Sequence, residues 1–307
     1  MVLAETTRMS ESSPAAWAHR QCLCIGGVSL GIMAASADDL HLTRDHQAFR
    51  MGPSSCDIEI SIERVEQLTE LSGPKLFDSG SVWTLYKSNS GFVFDFTTPV
   101  LGPGPYKRLW VNEEFSQARL CVDRNRLPDQ TEAHPLEYPV DELLVTNWLA
   151  LGRGVEVHSC GFVDPESGGQ LFIGHSGAGK STTTRLWSSL GNVRILSDDR
   201  IILRRSEGQI WMHGTPWHGE AGFASPEKAA IRRIFVIEHG TKNEITRLSQ
   251  TQAVAELFAR SFVPFHSRRA LDFTLSYLQD ITSEIPCYRF QFLPDSNAVR
   301  AIRHFYE

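Results

Sequence analysis

The chain has 307 residues, enough for one large domain or two modest ones. Hydrophobic residues make up 41% of it and charged residues 21%, which is ordinary globular usage and argues against global disorder. The net charge of −6 gives no electrostatic reason to expect a nucleic-acid partner.

The six cysteines are scattered, and the absence of a Cys-x-x-Cys pair argues against a zinc ribbon or thioredoxin-type chemistry. We interpret them as small buried side chains in a reducing compartment. The longest apolar-looking run, residues 22–37, contains glycines and is shorter than the roughly 20 residues that cross a bilayer. It is interpreted as a strand. A polar leader precedes it, so we expect a cytoplasmic protein with no membrane partner.

The first half of the chain carries strand patterns. Residues 1–18 have the composition of a flexible tail, and residues 19–130 are predicted to form a mainly antiparallel β domain. Residues 57–63 alternate with period two, as a half-buried strand does. Two pairs of β-prone segments, 82–86 with 92–96 and 109–111 with 118–122, are each predicted to form a hairpin. No motif with recognisable chemistry occurs here, so the role of this domain is left open.

The second half, residues 131–307, mixes strand and helix patterns and is predicted to be an α/β (α+β) catalytic domain. The boundary is placed near residues 124–136, where charge and proline accumulate. Apolar residues at helical spacing predict a helix over residues 140–151, which Gly152 ends.

A glycine-rich loop is the strongest motif in the chain. Residues 155–158 and 170–173 are predicted strands, and a helix is predicted after the loop. Strand, glycine-rich loop and helix in this order are the context of a Walker A motif. The predicted nucleotide-binding residues are Gly174, His175, Ser176, Gly177, Ala178, Gly179, Lys180, Ser181 and Thr182.

The chemistry of phosphate binding explains these residue types. Glycines let the backbone turn tightly and present N–H groups to phosphate oxygens, and the helix N-terminus adds about half a positive charge. Lys180 can reach the β and γ phosphates, and the Ser181 hydroxyl can bind Mg²⁺. The alternative is a glycine-rich turn that begins a helix and binds no ligand.

An aspartate pair follows one helix later. Asp198 and Asp199 end a short predicted strand, and ligands bind at the carboxyl ends of such strands. One carboxylate can hold Mg²⁺, and the other can accept the proton of an attacking hydroxyl. The alternative is that the pair only opens a turn before Arg200. A transporter-type ATPase would also carry a Leu-Ser-Gly-Gly-Gln signature, which this chain lacks.

Together, these residues carry a family resemblance. The stretch from His158 to about Ser249 resembles the catalytic domain of HPr kinase/phosphorylase, which shares its core with the nucleotide site of phosphoenolpyruvate carboxykinase. The resemblance rests on a histidine about fifteen residues before the loop, on the Gly-x-Ser-Gly-x-Gly-Lys-Ser loop itself, and on the aspartate pair. Glu220 is the best match to a downstream glutamate that the family places on its metal.

The resemblance implies a P-loop kinase core that uses ATP and Mg²⁺ and that can form a homo-oligomer. It implies that His158, Lys180, Asp198 and Asp199 are catalytic. Asp199 is the preferred base, although the two aspartates can exchange roles. The implied metal ligands are Ser181, Asp198 and Glu220.

The chain departs from HPr kinases at three places. Ser159 follows the histidine where the family has glycine, Thr182 follows the loop where it has glutamate, and residues 214–220 lack its Arg-Gly-rich signature. The closer resemblance is to HPr-kinase-like proteins found beside peptide-modification genes, some of which phosphorylate a serine of a precursor peptide. It therefore implies a kinase acting on a serine of a peptide or protein. The alternatives are a carboxykinase-like enzyme acting on a small oxo-acid and a non-catalytic nucleotide-sensing module.

Overall fold

The structure is a computed structural model that describes residues 17–71, 73–127 and 135–305. Most of the predicted tail, residues 1–16, therefore lies outside the described residues. The described chain divides into two compact units. Residues up to Trp148, apart from Ile25–Gly27, form the first, and Ile25–Gly27 with the residues from Leu149 form the second. This division lies C-terminal to residue 130, where the sequence pattern placed it.

The first unit is built on one mixed sheet, which in the described residues has nine strands in the order β3-β1-β2-β4-β9-β8-β7-β6-β5. The strands are β1 (His19–Ile25), β2 (Val28–Ala34), β3 (Arg50–Met51), β4 (Ile58–Val65), β5 (Lys75–Asp78), β6 (Trp83–Ser88), β7 (Gly91–Phe96), β8 (Lys107–Asn112) and β9 (Gln117–Asp123).

Both predicted hairpins are confirmed, because β6 pairs with β7 and β8 pairs with β9 in antiparallel register. The expectation of antiparallel pairing fails at β4, which is parallel to both of its neighbours, β2 and β9. The single strand predicted over residues 22–37 is wrong. The run instead contains the end of β1 and all of β2, which are separated by Gly26 and Gly27 with φ of 60° and 73°. Glycine adopts this left-handed conformation without the steric cost that a Cβ brings.

Two α-helices among the described residues belong to this unit. Helix α1 (Arg44–Gln47) is capped by Thr43, and α2 (Val140–Leu149) confirms the helix predicted from periodicity, although it ends two residues earlier. The imidazole of His46 lies between them, with Nδ1 2.6 Å from the Thr43 hydroxyl and Nε2 2.7 Å from the buried Asp141 carboxylate. This contact ties α2 to the first unit.

The second unit is also built on a mixed sheet. Its described strands are β10 (Val155–Asp164), β11 (Gly168–Ile173), β12 (Arg194–Ser197), β13 (Arg200–Ser206), β14 (Gln209–His213), β15 (Lys228–Ala230), β16 (Arg233–His239), β17 (Glu244–Arg247) and β18 (Cys287–Phe292). The order is β15-β14-β13-β10-β11-β16-β18-β17, with β12 paired to β10. Strands β11, β16 and β18 run parallel, and the other described pairs are antiparallel.

Helices cover both faces of this sheet. They are α3 (Lys180–Ser188), α4 (Gln250–Phe258), α5 (Arg268–Glu284) and α6 (Ser296–Arg303). Alternate residues of a strand point to opposite faces, so the sheet has two apolar cores. Leu171 contributes to the core that contains residues of α4 and α5, and Phe172 to the core that contains residues of α3 and α6. The fold is therefore mixed α/β. In the described residues, no helix is both long enough and apolar enough to cross a membrane.

Candidate active site

The glycine-rich loop connects the end of β11 to the start of α3. Gly179 occupies the N-cap position of α3 with φ of 101°, and Gly177 also has a left-handed φ, of 78°. Glycine has no side chain with which to cap the helix, so the first-turn N–H groups face the loop without an acceptor from that position. His175, Ser176 and Gly177 are exposed, which leaves this part of the loop open to a ligand.

Two contacts hold the loop in shape. A Cβ at Gly179 would lie 2.8 Å from the ring of Phe292, so this position has no room for a side chain. The Nε2 of His239 lies 2.8 Å from the carbonyl oxygen of Gly177, and the His239 ring stacks on Phe292. The loop therefore packs against the ends of β16 and β18, and its shape is set by tertiary contacts as well as by its glycines.

The side chain of Lys180 folds back over the loop. Its Nζ donates to the carbonyl oxygens of Gly174, at 3.0 Å, and His175, at 3.3 Å. Burial is the main influence on this ammonium and lowers the pKa of Lys180, while the neighbouring Cys160 and Asp199 act in the opposite direction. Lys180 thus places a positive charge at the mouth of the loop, where it can neutralise a phosphate group.

His158 and Asp199 form a pair beside the loop. The His158 Nε2 lies 3.0 Å from Oδ1 of Asp199, and the Asp199 carboxylate also contacts Arg200. Burial alone raises the pKa of Asp199. The hydrogen bond from His158 and the positive charges of Arg200 and Lys180 outweigh it, so the pKa lies below its usual range. Asp199 is therefore ionised at neutral pH.

Strand pairing brings this pair next to the loop. His158 is opposite Arg200 in the β10–β13 register, and the N–H of Ser159 donates to the carbonyl oxygen of Asp199 at 3.0 Å. Ser159 is also opposite Ile173, the last residue of β11 before the loop. The central strand β10 therefore brings His158 close both to Asp199 and to the strand end at which the glycine-rich loop begins.

Asp198 faces a different set of partners from Asp199. Its buried carboxylate accepts hydrogen bonds from the N–H groups of Gly219 (3.0 Å), Ala221 (2.8 Å) and Phe223 (3.2 Å). These three bonds use its oxygens to shape the segment around residue 220. The two adjacent aspartates therefore make different contacts. Asp198 holds the segment around residue 220, and Asp199 pairs with His158.

The other predicted site residues lie at the edges of this arrangement. Glu220 is exposed and sits between Gly219 and Ala221, the two residues whose N–H groups bind Asp198. Ser181 and Thr182, in the first turn of α3, are half-buried. Within the described residues, no group of three or more His, Cys, Asp or Glu side chains could by itself hold a metal ion.

Arg200 is a residue whose importance the sequence pattern did not indicate. Its guanidinium contacts Asp199, lies 3.4 Å from the buried Glu156 carboxylate, and stacks over the ring of Phe262 at 4.3 Å. It therefore fixes the orientation of Asp199. The available signal was its position directly after the aspartate pair. His239, which holds the loop from β16, carried no sequence signal.

In comparisons with known proteins, no protein-family model matches the chain, and no curated protein matches it.

Proposed function

We propose that the chain is an ATP- and Mg²⁺-dependent phosphotransferase with a P-loop kinase core of the HPr kinase type, and that it phosphorylates a serine of a peptide or protein. The observation that carries this proposal is the position of Asp199. An ionised carboxylate, held by His158 and Arg200, lies close enough to the Lys180 ammonium for each to influence the other's pKa. A base beside a phosphate loop is the arrangement that phosphoryl transfer to a hydroxyl requires.

The loop supports the choice of a polyphosphate as ligand. It offers three exposed residues, 175–177, a helix N-terminus with a glycine in the N-cap position, and the Lys180 ammonium. Backbone N–H groups and a helix N-terminus attract anions, and the ammonium adds a full charge. The preference for ATP comes from the family resemblance.

The hydroxyl of Ser181 and the carboxylate of Glu220 are oxygen donors of the kind that Mg²⁺ binds. This ion usually binds one or two protein oxygens and completes its shell with phosphate and water, so a cluster of three acidic ligands is not needed. We assign Ser181 and Glu220 to it, and the bound ion would neutralise charge on the phosphate oxygens. Asp198 is assigned instead to positioning the segment that carries Glu220, because three N–H groups already bind its carboxylate.

The proposed reaction uses the side chains as follows. Asp199 accepts the proton of the serine hydroxyl, and the serine oxygen attacks the γ phosphorus of ATP. The bond from that phosphorus to the bridging oxygen breaks, and ADP leaves. Lys180 stabilises the charge that develops on the phosphates, and His158 keeps the Asp199 carboxylate oriented. An aspartate with a lowered pKa is a weak base, which suits a loose transition state in which the hydroxyl proton leaves late.

A labelling experiment tests the proposal. The protein is incubated with γ-labelled ATP, Mg²⁺ and an array of serine-centred peptides, and each peptide is paired with its alanine-centred version. We expect label only on serine-centred peptides, and none when a chelator removes Mg²⁺.

Two variants test the role of the loop. Lys180→Ala should lower kcat/KM by about 100-fold or more, because it removes the charge at the phosphates. Arg185→Ala is the matched control: it removes an exposed positive charge from the same helix and should leave activity unchanged. Calorimetry that detects no uptake of ATP in the presence of Mg²⁺ would exclude the proposal.

A further inference from the structure

Two cysteines that are distant in sequence meet in the first unit. Cys22 lies on β1 and Cys56 lies in the segment that leads into β4, and their sulfur atoms are 3.7 Å apart. Both are free thiols; Cys22 is buried and Cys56 is half-buried. A disulfide holds its sulfurs at about 2.05 Å, so a shift of less than about 2 Å would bring these two into bonding distance.

The segment that carries Cys56 is held in place. The carboxylate of its neighbour Asp57 accepts hydrogen bonds from the N–H and the hydroxyl of Ser29, at 2.9 Å and 2.7 Å, and the N–H of Asp57 donates back to that hydroxyl. The N–H of Cys56 donates to the Glu59 carboxylate. These bonds fix the backbone on both sides of Cys56, so the closeness of the two sulfurs is built into the fold.

An arginine completes the site. The Arg20 guanidinium lies 3.7 Å from the Cys56 sulfur, donates to the carbonyl oxygen of Ser54 at 3.0 Å, and pairs with Glu59 at 2.7 Å. Gly31 of β2 lies next to this ion pair. A Cβ at Gly31 would be 2.6 Å from the Arg20 guanidinium and 2.4 Å from the Glu59 carboxylate. The glycine therefore leaves room for the ion pair next to the sulfurs.

The electrostatics favour one thiolate of the pair. Burial opposes ionisation of Cys22, but the backbone at Ser54, the Arg20 guanidinium and the Cys56 thiol together lower the pKa of Cys22. Burial and the neighbouring Cys22 sulfur raise the pKa of Cys56. A thiolate beside a second, protonated thiol is the combination that forms a disulfide after oxidation.

We propose that Cys22 and Cys56 are a redox modification site that forms a reversible intramolecular disulfide with oxidants of the peroxide class. The proposal does not rest on the proposed kinase function. It follows from the distance between the sulfurs, the fixed segment around Cys56 and the adjacent guanidinium.

The chemistry balances in two steps. The Cys22 thiolate attacks one oxygen of hydrogen peroxide, the O–O bond breaks, and hydroxide leaves while Cys22 becomes a sulfenic acid. The Cys56 sulfur then attacks the sulfenic sulfur, the S–O bond breaks, and the oxygen leaves as water with the proton of the Cys56 thiol. Over both steps the two thiols lose two electrons and two protons, and the peroxide becomes two waters. A dithiol reductant reverses the bond by exchange.

The test is oxidation of the full-length protein with hydrogen peroxide, followed by thiol counting under denaturing conditions and peptide mapping by mass spectrometry. We expect the loss of two of the six thiols, a linked peptide that joins Cys22 to Cys56, and full recovery with dithiothreitol. The oxidised protein should also have a higher Tm, because the new bond restrains the unfolded chain.

Three single variants make the result specific. Cys56→Ser, at a half-buried position in an exposed segment, should fold with an unchanged circular dichroism spectrum and lose both the linked peptide and the rise in Tm. Cys22→Ser should lose them too. Cys24→Ser, on the same strand and also half-buried, is the matched control and should keep both. A wild-type protein in which peroxide produces no linked peptide, or links a different pair of cysteines, would overturn the proposal.

Discussion

The imidazole of His158 and the carboxylate of Asp199 are 3.0 Å apart, although β11, the glycine-rich loop, α3 and β12 separate them in the chain. The long strand β10 makes this possible because it pairs with β13 along its first part and with β12 from Gly161 onwards. The pairing keeps Asp199 ionised and oriented. It also distinguishes Asp199 from Asp198, whose carboxylate is bound by backbone N–H groups.

Replacing Asp199 with asparagine should abolish transfer while nucleotide still binds. Removing the proposed general base should lower kcat by about 100-fold to 10,000-fold, whereas the loop proposed to bind ATP is untouched. Steady-state kinetics and calorimetry measure the two effects separately. Asp272→Asn, which changes an exposed carboxylate on α5, is the control and should have normal kinetics. Unchanged turnover in Asp199→Asn would remove the base assignment.

Replacing Asp198 with alanine should instead destabilise the fold. The N–H groups of three half-buried residues lose their charged acceptor, which costs about 3 kcal/mol in the free energy of unfolding. Urea denaturation measures this, with Asp199→Asn as the comparison expected to change stability much less. If stability were unchanged and the Mg²⁺ concentration needed for activity rose, Asp198 would be a metal ligand.

ATP affinity should fall at alkaline pH, and it should start to fall at a lower pH than it would if Lys180 had the pKa of an unperturbed lysine. Burial lowers the pKa of Lys180, so the free protein loses this ammonium as the pH rises through a value below the usual 10.4 or so. The protonated form binds phosphate, so the Kd for ATP increases above that pH. Calorimetry at a series of increasing pH values from 7 upwards follows the loss of affinity. Lys180→Arg remains charged over this range and should lack it; an identical alkaline transition in that variant would assign the effect to another group.

Substituting Gly177 and Gly179 one at a time should distinguish the cost of backbone strain from the cost of steric contact with Phe292. Both Gly177 and Gly179 have left-handed φ, so an alanine at either position costs about 1–2 kcal/mol. Only at Gly179 does the new methyl also meet the Phe292 ring. Thermal denaturation and ATP calorimetry should therefore show a larger loss for Gly179→Ala than for Gly177→Ala. Equal losses would mean that the contact with Phe292 does not restrain the loop.

His213 should make the protein less stable in mild acid. Burial, with the nearby charges of Arg204 and Lys228, lowers the pKa of His213 to about 4, whereas the unfolded chain has a value near 6.5. Between these values only the unfolded chain binds the proton, so stability is full above about pH 6.5 and falls as the pH drops towards 4. The loss approaches about 3 kcal/mol, since each pKa unit corresponds to about 1.4 kcal/mol.

Denaturation at pH 7 and pH 4.5 measures this effect. His213→Gln should narrow the difference in stability between the two pH values, because it removes the titrating group. His175→Gln changes an exposed histidine in the phosphate loop and should leave the difference as in the wild type. A difference that is equally large in His213→Gln would show that other groups cause it.

The cysteines show where local patterns mislead. Their spacing in the sequence indicated only small buried side chains, and four of the six are indeed buried. The approach of Cys22 to Cys56 depends on the turn at Gly26 and Gly27 and on the hydrogen bonds of Asp57. Neither is visible in a periodic pattern: the turn divides what is a single apolar run in the sequence, and the Asp57 bonds join segments that are far apart in the chain.

What the sequence alone determined was local. The glycine-rich loop between β11 and α3, the two hairpins and helix α2 depend on glycine positions, short-range turns and residue periodicity, all of which act within a few residues. Only the tertiary structure decided that Asp199 rather than Asp198 pairs with His158, that β4 is parallel to its neighbours, and that Arg200 and His239 support the site. These features arise from strand register and side-chain packing between distant segments, which no single stretch of sequence specifies.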